Sequence, residues 1–139
     1  MRAFDVQRAA HAAWNRRDFD AMVKDLAQDC IFEDMGRGLS VKGPEEFRAW
    51  AADWAKAFST AKLDPEYIDG GEWSIARFTV TATNDGPMGP MPATGKAVTM
   101  SFCEVAHVND EGKMDRGYVY YDSLSILVQA GLVEPPSGA

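Results

Sequence analysis

The chain has 139 residues, a length that fits one domain with one hydrophobic core, so we treat residues 1–139 as a single unit. Its net charge of −7 at pH 7 argues against nucleic acid and against an anionic membrane surface as partners, since both require a positively charged surface. No apolar run approaches the ~20 residues of a membrane helix, and the first residues lack the apolar core of an export signal.

The residue types that most often bind metals are few and widely spaced. The two cysteines are Cys30 and Cys103, and the two histidines are His11 and His107. No CxxC pair is present, and a structural zinc needs about four Cys or His ligands close together. The sequence therefore predicts no metal and two reduced thiols in a cytoplasmic protein.

Two helices are predicted at the start of the chain. Residues 3–15 carry a stripe of apolar side chains at helical spacing, and Trp14 on that stripe is predicted to close the bottom of the fold. Asp18 is a typical N-cap residue and predicts a second helix directly after it. A short strand is predicted over residues 30–35, followed by a glycine-containing loop.

The third helix has the strongest signal. Its start is marked by Gly43 and Pro44, since proline fits the first helical turn. The large apolar residues that follow share one face of the helix: Phe47, Trp50, Ala51, Trp54 and Phe58. These aromatic side chains either fill the core or line a cavity for an apolar or aromatic ligand, and the sequence leaves both interpretations open.

The remainder is predicted to be mostly strand. Strands are expected over residues 61–68, 73–84, 98–108 and 114–121. Asp122 then opens a short amphipathic helix that ends at Gly131. Helices that precede a largely antiparallel sheet indicate an α+β fold, in which a twisted sheet wraps over the helices and leaves an open end for a small molecule.

A loop rich in glycine and proline interrupts these strands at residues 86–92. Three prolines in this short segment cannot join the interior of a sheet. The loop also carries Met88 and Met91, which are flexible apolar side chains. We expect a mobile flap that covers the mouth of the pocket.

The order of elements resembles the nuclear-transport-factor-2-like fold. The segments AAWNRRDFDAM, DCIFED, GPEEFRAW, TATNDGPMGPMPATGK, DEGKM and YYDSLSILVQAGL are similar to the SnoaL-like polyketide cyclase family and span nearly the whole chain. The resemblance implies a cone of three N-terminal helices packed on a curved, mostly antiparallel sheet with a short C-terminal helix. It further implies a hydrophobic small-molecule substrate, no metal or organic cofactor, and a homodimer formed through the outer face of the sheet.

The resemblance also implies a mechanism in which a carboxylate in an apolar pocket removes a proton next to a carbonyl group, and the enolate closes a ring. This chain departs from that pattern. The catalytic aspartate of the cyclases falls at Val119, which cannot take a proton. Their pocket histidine falls near Glu104, and a further family histidine falls at Asn84.

Four residues are therefore candidates for the chemistry. Glu104 shares its strand face with otherwise apolar residues, so we expect it to point into the pocket with a pKa raised by desolvation, as the catalytic base. Asp122 is either the cap of the last helix or a catalytic group. Asn84 is either a hydrogen-bond donor to an oxyanion or part of a turn, and Tyr121 is a second candidate donor.

The remaining candidates are expected to contact substrate. Glu33 and Asp34 alternate on the first strand, so one of the two is predicted to face inward. The full set of predicted substrate-binding residues is Trp14, Glu33, Asp34, Trp50, Trp54, Phe58, Met88, Met91, Phe102 and Val119.

The leading hypothesis is an enzyme that needs no cofactor and acts on a hydrophobic natural-product intermediate by proton transfer, leading to cyclisation or isomerisation. One alternative is an epoxide hydrolase of the limonene-epoxide hydrolase type, which would require two carboxylates and an arginine around a water molecule. The other is a small-molecule-binding protein without chemistry, an interpretation that the valine at position 119 favours.

Overall fold

The computed structural model describes residues 2–137. Within that range the helices are α1 (Ala3–Asn15), α2 (Phe19–Val23), α3 (Gly43–Ala57) and α4 (Ser123–Gln129). The strands are β1 (Leu26–Asp34), β2 (Leu39–Lys42), β3 (Glu66–Gly70), β4 (Trp73–Thr83), β5 (Ala97–Val108) and β6 (Met114–Tyr121). The predicted α+β order of helices and strands is confirmed.

The six strands form one sheet in the order β2-β1-β6-β5-β4-β3. Neighbouring strands are antiparallel except β1 and β6, which run parallel although they are far apart in the sequence. Phe32 on β1 lies opposite Gly117 on β6. A Cβ atom added at Gly117 would lie 2.6 Å from Cδ2 of Phe32, so glycine allows this aromatic ring to pack directly on the neighbouring strand.

The start of α3 follows the signals in the sequence. Gly43 has a φ of +78°, a conformation that glycine adopts without strain, and Pro44 occupies the first turn. Glu45 and Glu46 in the same turn are favourable for the helix dipole. The helix then turns Phe47 towards the core.

Three strands differ from the prediction. The strand predicted over residues 30–35 is β1, which begins already at Leu26. The sequence did not predict β2, because it has only four residues and buries a single side chain, that of Val41. The strand predicted over residues 61–68 begins only at Glu66. In place of a strand partner, Asn15 of α1 binds the backbone of Leu63: its Nδ2 donates to the carbonyl oxygen and its Oδ1 accepts from the backbone N–H, both at 2.8 Å.

The tryptophans do not all behave as core residues. Trp14 is buried, and its Nε1 donates to the carbonyl oxygen of Ala51 at 3.0 Å, which ties α1 to α3. Trp50 and Trp54 pack against the core and are mostly, but not fully, buried. Their free faces border a cavity rather than close-packed core.

Replacing Trp54 by alanine is expected to cost less stability than the ~3–5 kcal/mol typical of a core aromatic residue, because one face of the ring already borders empty space. Affinity for a hydrophobic ligand such as an aryl ketone should fall at the same time. Urea denaturation and fluorescence titration would measure the two effects.

Phe47→Ala is the matched control, because Phe47 lies on the same helix, is buried and borders neither cavity described below. This variant should lose the full ~3–5 kcal/mol of stability and keep the affinity for the ligand. Equal losses of stability in the two variants would contradict this account.

The outer face of the sheet is partly apolar, with Ile68 58% exposed and Tyr120 47% exposed.

None of the helices within residues 2–137 combines the length and apolar character required to cross a membrane.

Candidate active site

A narrow cavity of about 70 Å³ lies between helices α1 and α3 and the inner face of the sheet. Its walls are almost entirely apolar. The aromatic and aliphatic lining includes six predicted substrate-binding residues: Trp14, Trp50, Trp54, Phe58, Phe102 and Val119. Among residues 2–137, the only ionisable side chains that line the cavity are His11 of α1 and Glu104 of β5.

A single row of residues crosses the inner face of the sheet at the level of Glu104. The strand registers place Tyr67 opposite Ala76, Ala76 opposite Glu104, Glu104 opposite Val119, and Val119 opposite Asp34. Glu104 therefore lies directly across the hairpin from the position where the resemblance places the aspartate of the cyclases. The predicted inward orientation of Glu104 is confirmed, since its side chain is only 13% exposed and lines the cavity.

His11 bridges the gap between two members of this row. Ala76 is fully buried, and its small side chain separates the larger side chains of Tyr67 and Glu104. The imidazole of His11 reaches both of them: Nε2 lies 2.9 Å from Oε1 of Glu104, and Nδ1 lies 2.8 Å from the hydroxyl of Tyr67. The result is a partly buried chain of three side chains, Tyr67–His11–Glu104, which we call the acid/base chain.

The two oxygens of the Glu104 carboxylate differ in the hydrogen bonds that they accept from the described residues. Oε1 accepts from His11 and, at 3.3 Å, from Nε2 of Gln7, which also donates to the backbone oxygen of Glu104 at 3.0 Å. No described residue donates a hydrogen bond to Oε2. Because Glu104 lines the cavity, Oε2 is the oxygen available to a bound molecule.

The pKa of Glu104 is below its ordinary value, contrary to the predicted increase. Burial by itself raises this pKa, but the positive charge of His11 and the hydrogen bonds from His11 and Gln7 lower it by more. The prediction is wrong because it counted burial alone and not the charge of a histidine on α1, 93 residues away, that faces the carboxylate. Glu104 is therefore ionised throughout the neutral range.

The lowered pKa predicts how stability depends on pH. A carboxyl group whose pKa is lower in the folded than in the unfolded protein stabilises the fold above its unfolded pKa. This contribution is lost as the pH falls below the ordinary value of 4.5 and through the folded value. The difference in free energy of unfolding between the wild type and Glu104→Gln should thus shrink as the pH falls below 4.5. Urea denaturation at a series of pH values measures it, and a difference that grew in acid would contradict the direction of the shift.

Asp34 is the second buried carboxylate, and its hydrogen bonds are internal. Oδ2 accepts from Nε1 of Trp50 at 2.9 Å and from the hydroxyl of Tyr121 at 3.0 Å, while Oδ1 accepts from the backbone N–H of Arg37 at 3.1 Å. Burial, together with the hydrogen bond and charge of Asp34, raises the pKa of Tyr121 well above its ordinary value. Tyr121 stays protonated and directs its proton to Asp34, so the geometry gives no support to a role as an oxyanion donor.

Three further candidates lie away from the cavity. Glu33 faces the opposite side of β1, where Ser40 donates to its carboxylate at 2.9 Å. Asp122 is exposed and caps α4 by accepting from the backbone N–H of Ser125 at 3.0 Å. Asp34 lines neither this narrow cavity nor a second, wider cavity beside it. No arginine lines the narrow cavity. The pair of carboxylates with an arginine that epoxide hydrolysis would need is therefore not assembled here.

Asn84 is buried, and every polar group of its side chain is occupied. Its Nδ2 donates to the carbonyl oxygens of Ala57 and Gly86, at 3.2 and 2.9 Å. Its Oδ1 accepts from the backbone N–H and the hydroxyl of Thr94, at 3.0 and 3.1 Å. Of the two interpretations of Asn84, the geometry favours the one that makes it a structural residue of the loop.

The loop that Asn84 anchors borders a second, wider cavity of about 370 Å³, which we call the outer cavity. Met88 and Met91 line it and are joined by two backbone hydrogen bonds of 2.9 and 3.0 Å, so the loop has an internal turn. Tyr121 lines the same cavity, and Trp54 borders both cavities. The predicted position of the loop beside a cavity agrees with the structure, and its mobility stays a prediction.

Sequence reasoning missed three residues of the site: Gln7, His11 and Tyr67. Gln7 and His11 are four residues apart on α1, so they share a helix face, and both are buried. Two polar residues on a buried face were the available signal. Tyr67 could not be recognised, because its position opposite Ala76 depends on a strand register that the sequence does not reveal. Among residues 2–137, no three His, Cys, Asp or Glu side chains come together as a metal site.

The fold of this chain is shared with several solved structures. The architecture is that of the nuclear-transport-factor-2-like α+β fold, as in a protein of that class from Burkholderia pseudomallei, which has a TM-score of 0.76 at 20% identity over 92% of this chain and 96% of that one. A candidate SnoaL-like polyketide cyclase from Jannaschia sp. CCS1 has a TM-score of 0.83 at 16% identity, covering 96% of this chain and 93% of that one. AclR of Streptomyces galilaeus, a candidate hydroxylase, has a TM-score of 0.80 at 22% identity, covering 98% and 85% respectively.

The sequence assigns the family. The model of the SnoaL-like polyketide cyclase family matches residues 4–130, so the chain belongs to that family. No curated protein sequence matches the chain.

Proposed function

We propose that this protein is an enzyme that moves a proton on a hydrophobic carbonyl compound, with Glu104 as the catalytic base and cyclisation or isomerisation as the outcome. The observation that carries the proposal is the position of Glu104: an ionised carboxylate in a cavity lined otherwise by apolar side chains and His11. Membership of a family of polyketide cyclases supports the same reaction class.

The first step follows from the free oxygen of the carboxylate. Oε2 of Glu104 takes a proton from the carbon next to a carbonyl group; the C–H bond breaks, an O–H bond forms on Glu104, and the electron pair moves to the carbonyl oxygen. The negative charge thus moves from Glu104 to the substrate. Nε2 of His11 stays beside Oε1 at 2.9 Å, so Glu104 keeps its position while Oε2 carries the proton.

The second step returns the proton. In a cyclisation, the enolate carbon attacks a second carbonyl carbon, a C–C bond forms, and the resulting alkoxide takes the proton back from Glu104. In an isomerisation, Glu104 returns the proton to a different carbon. Both reactions leave the protein unchanged, and both need only one carboxylate that can accept and release a proton.

The apolar walls favour substrates with a flat hydrocarbon or aromatic part. Trp54 contacts Phe102 and Tyr121 edge to face, with ring centroids 5.6 and 5.4 Å apart. It lies between the outer cavity and the narrow cavity beside Glu104, which we call the inner cavity. We propose that the reacting end of the substrate enters the inner cavity beside Glu104, while the rest occupies the outer cavity next to Met88 and Met91.

Deuterium exchange tests the proposal without knowledge of the natural substrate. Hydrophobic aryl ketones and 1,3-diketones are incubated with the protein in D₂O, and loss of the proton next to the carbonyl group is followed by NMR. Exchange should exceed the buffer rate, and an excess of a hydrocarbon of the same shape without the carbonyl should suppress it by occupying the cavity. A probe that binds without accelerated exchange would indicate a binding protein instead, and exchange that the hydrocarbon does not suppress would place the reaction outside the cavity.

A further inference from the structure

Tyr67, at the end of the acid/base chain away from Glu104, gives His11 a hydroxyl as its partner, whereas the other histidine, His107, has a carboxylate. Nδ1 of His11 faces the hydroxyl of Tyr67 at 2.8 Å, whereas Nδ1 of the other histidine, His107, faces the carboxylate of Asp115 at 2.6 Å. A carboxylate can only accept a hydrogen bond, but a hydroxyl can accept or donate. Asp115 therefore requires a proton on Nδ1 of His107, whereas Tyr67 is compatible with Nδ1 of His11 with or without a proton.

The surroundings of His11 make this difference matter. The imidazole is buried, with the ring of Tyr67 stacked at 5.8 Å and the edge of Phe78 at 5.5 Å. A doubly protonated imidazole has two N–H groups that need acceptors, and a buried N–H without one is costly. Glu104 accepts from Nε2, and the oxygen of Tyr67 is the acceptor within reach of Nδ1.

The same hydroxyl also serves the neutral histidine. When His11 carries one proton, Nε2–H still faces Glu104, and Nδ1 becomes an acceptor. Tyr67 can then turn its O–H towards Nδ1 with no movement of heavy atoms. Burial and the charges of Glu104 and Asp64 outweigh the opposing charge of Arg8 and raise the pKa of Tyr67 to about 12, so the hydroxyl keeps its proton throughout the working range.

We propose that Tyr67 is a positioning residue for the acid/base pair: its hydroxyl holds His11 in place whether the histidine is charged or neutral, and so keeps a partner on Glu104 in both states. This proposal rests on the proposed function of Glu104 for its catalytic meaning, but its test needs no substrate. A carboxylate at position 67 would fix His11 as a cation, and an apolar residue would leave the charged form with an unsatisfied N–H group.

Nitrogen-15 NMR of the two histidines tests the proposal in the wild-type protein. As the pH rises, His11 should lose its proton from Nδ1, because Nε2–H is held by Glu104, and should become the Nε2–H tautomer. His107 provides the control within the molecule: Asp115 holds its Nδ1–H at 2.6 Å, while the exposed Glu72 lies 3.9 Å from Nε2, beyond hydrogen-bond distance, so the proton should leave Nε2. The two histidines should thus deprotonate to opposite tautomers. If His11 became the Nδ1–H tautomer, as expected of His107, the proposal would be overturned.

The variant Tyr67→Phe provides the second measurement, with Glu104 labelled with carbon-13 at its carboxyl carbon. Without the hydroxyl, the charged form of His11 has an N–H group without an acceptor, so Glu104 loses part of the charge that lowers its pKa. The midpoint of its titration should rise by about 1–2 pH units. Tyr120→Phe, which removes an exposed hydroxyl on the outer face, should leave the midpoint unchanged.

The outcomes separate this proposal from the proposed function. An unchanged midpoint of Glu104 in a folded Tyr67→Phe variant would overturn the role of Tyr67 and leave the role of Glu104 intact. A shifted midpoint in a protein that catalyses no exchange would support the role of Tyr67 and overturn the catalytic proposal. Should the variant fail to fold, the histidine tautomers of the wild type decide the question alone.

Discussion

Glu104→Gln is expected to lower the rate of proton exchange by ~10²-fold or more, the contribution typical of a positioned acid or base. Glutamine keeps the shape of the side chain, and its oxygen can still accept from Nε2 of His11 and from Gln7. The amide cannot take a proton from a substrate carbon. We therefore expect the fold to survive while turnover is lost, which near-ultraviolet circular dichroism and the exchange assay would show together.

A glutamate outside the cavity provides the control for this variant. Glu66 on β3 is exposed and opposes Arg77 on the outer part of the sheet. Glu66→Gln makes the same chemical change, including the loss of one negative charge, and should leave the exchange rate within about twofold of the wild type. Full activity in Glu104→Gln would remove Glu104 from the mechanism. A loss of equal size in both variants would point to an effect of net charge rather than a base.

Asp34→Ala is expected to destabilise the fold by about 3–5 kcal/mol, because each of the three donors left without an acceptor costs about 1–3 kcal/mol, and relaxation or entering water recovers part of the total. The donors are Nε1 of Trp50, the hydroxyl of Tyr121 and the backbone N–H of Arg37. They belong to α3, to β6 and to the turn after β1, so one carboxylate links three parts of the fold. The midpoint of urea denaturation would measure the loss.

Two companion variants separate the hydrogen bonds of Asp34 from its charge and size. Asp34→Asn keeps the shape and one accepting oxygen, so its stability should lie between those of the wild type and Asp34→Ala. Asp29→Ala removes an exposed carboxylate from the same strand and should change the free energy of unfolding by less than about 0.5 kcal/mol. If Asp34→Ala were as stable as Asp29→Ala, the buried hydrogen bonds would contribute nothing measurable.

Strand alternation was sufficient to locate Glu104. Side chains two residues apart share a strand face, so the apolar neighbours Met100 and Phe102 predicted that the glutamate points inward, and both line the cavity with it. The hairpin of β5 and β6 was predicted within one or two residues from strand alternation, and the long helix α3 from its apolar face at helical spacing. Their patterns are local and repeat over many residues.

The partners of Glu104 could not be predicted in the same way. His11 lies 93 residues away in the chain, and Tyr67 lies 56 residues from His11. Their meeting depends on how α1 crosses the sheet and on the small size of Ala76, which local patterns do not specify. The predicted pKa of Glu104 had the wrong sign for this reason: burial can be inferred from one strand, but the neighbouring charge cannot.

The parallel pairing of β1 with β6 has a consequence for how the protein is made. A ribosome delivers β1 long before β6, so the strand that carries Asp34 must wait for residues 114–121 before its central neighbour exists. Contacts between distant parts of a chain slow folding and leave unpaired strand edges exposed in the meantime. Val119, which completes the wall opposite Glu104, arrives with that last strand. We therefore expect nascent chains halted before residue 114 to bind chaperones and to lack the ligand site altogether, whereas chains extended past α4 should acquire both in a single cooperative event.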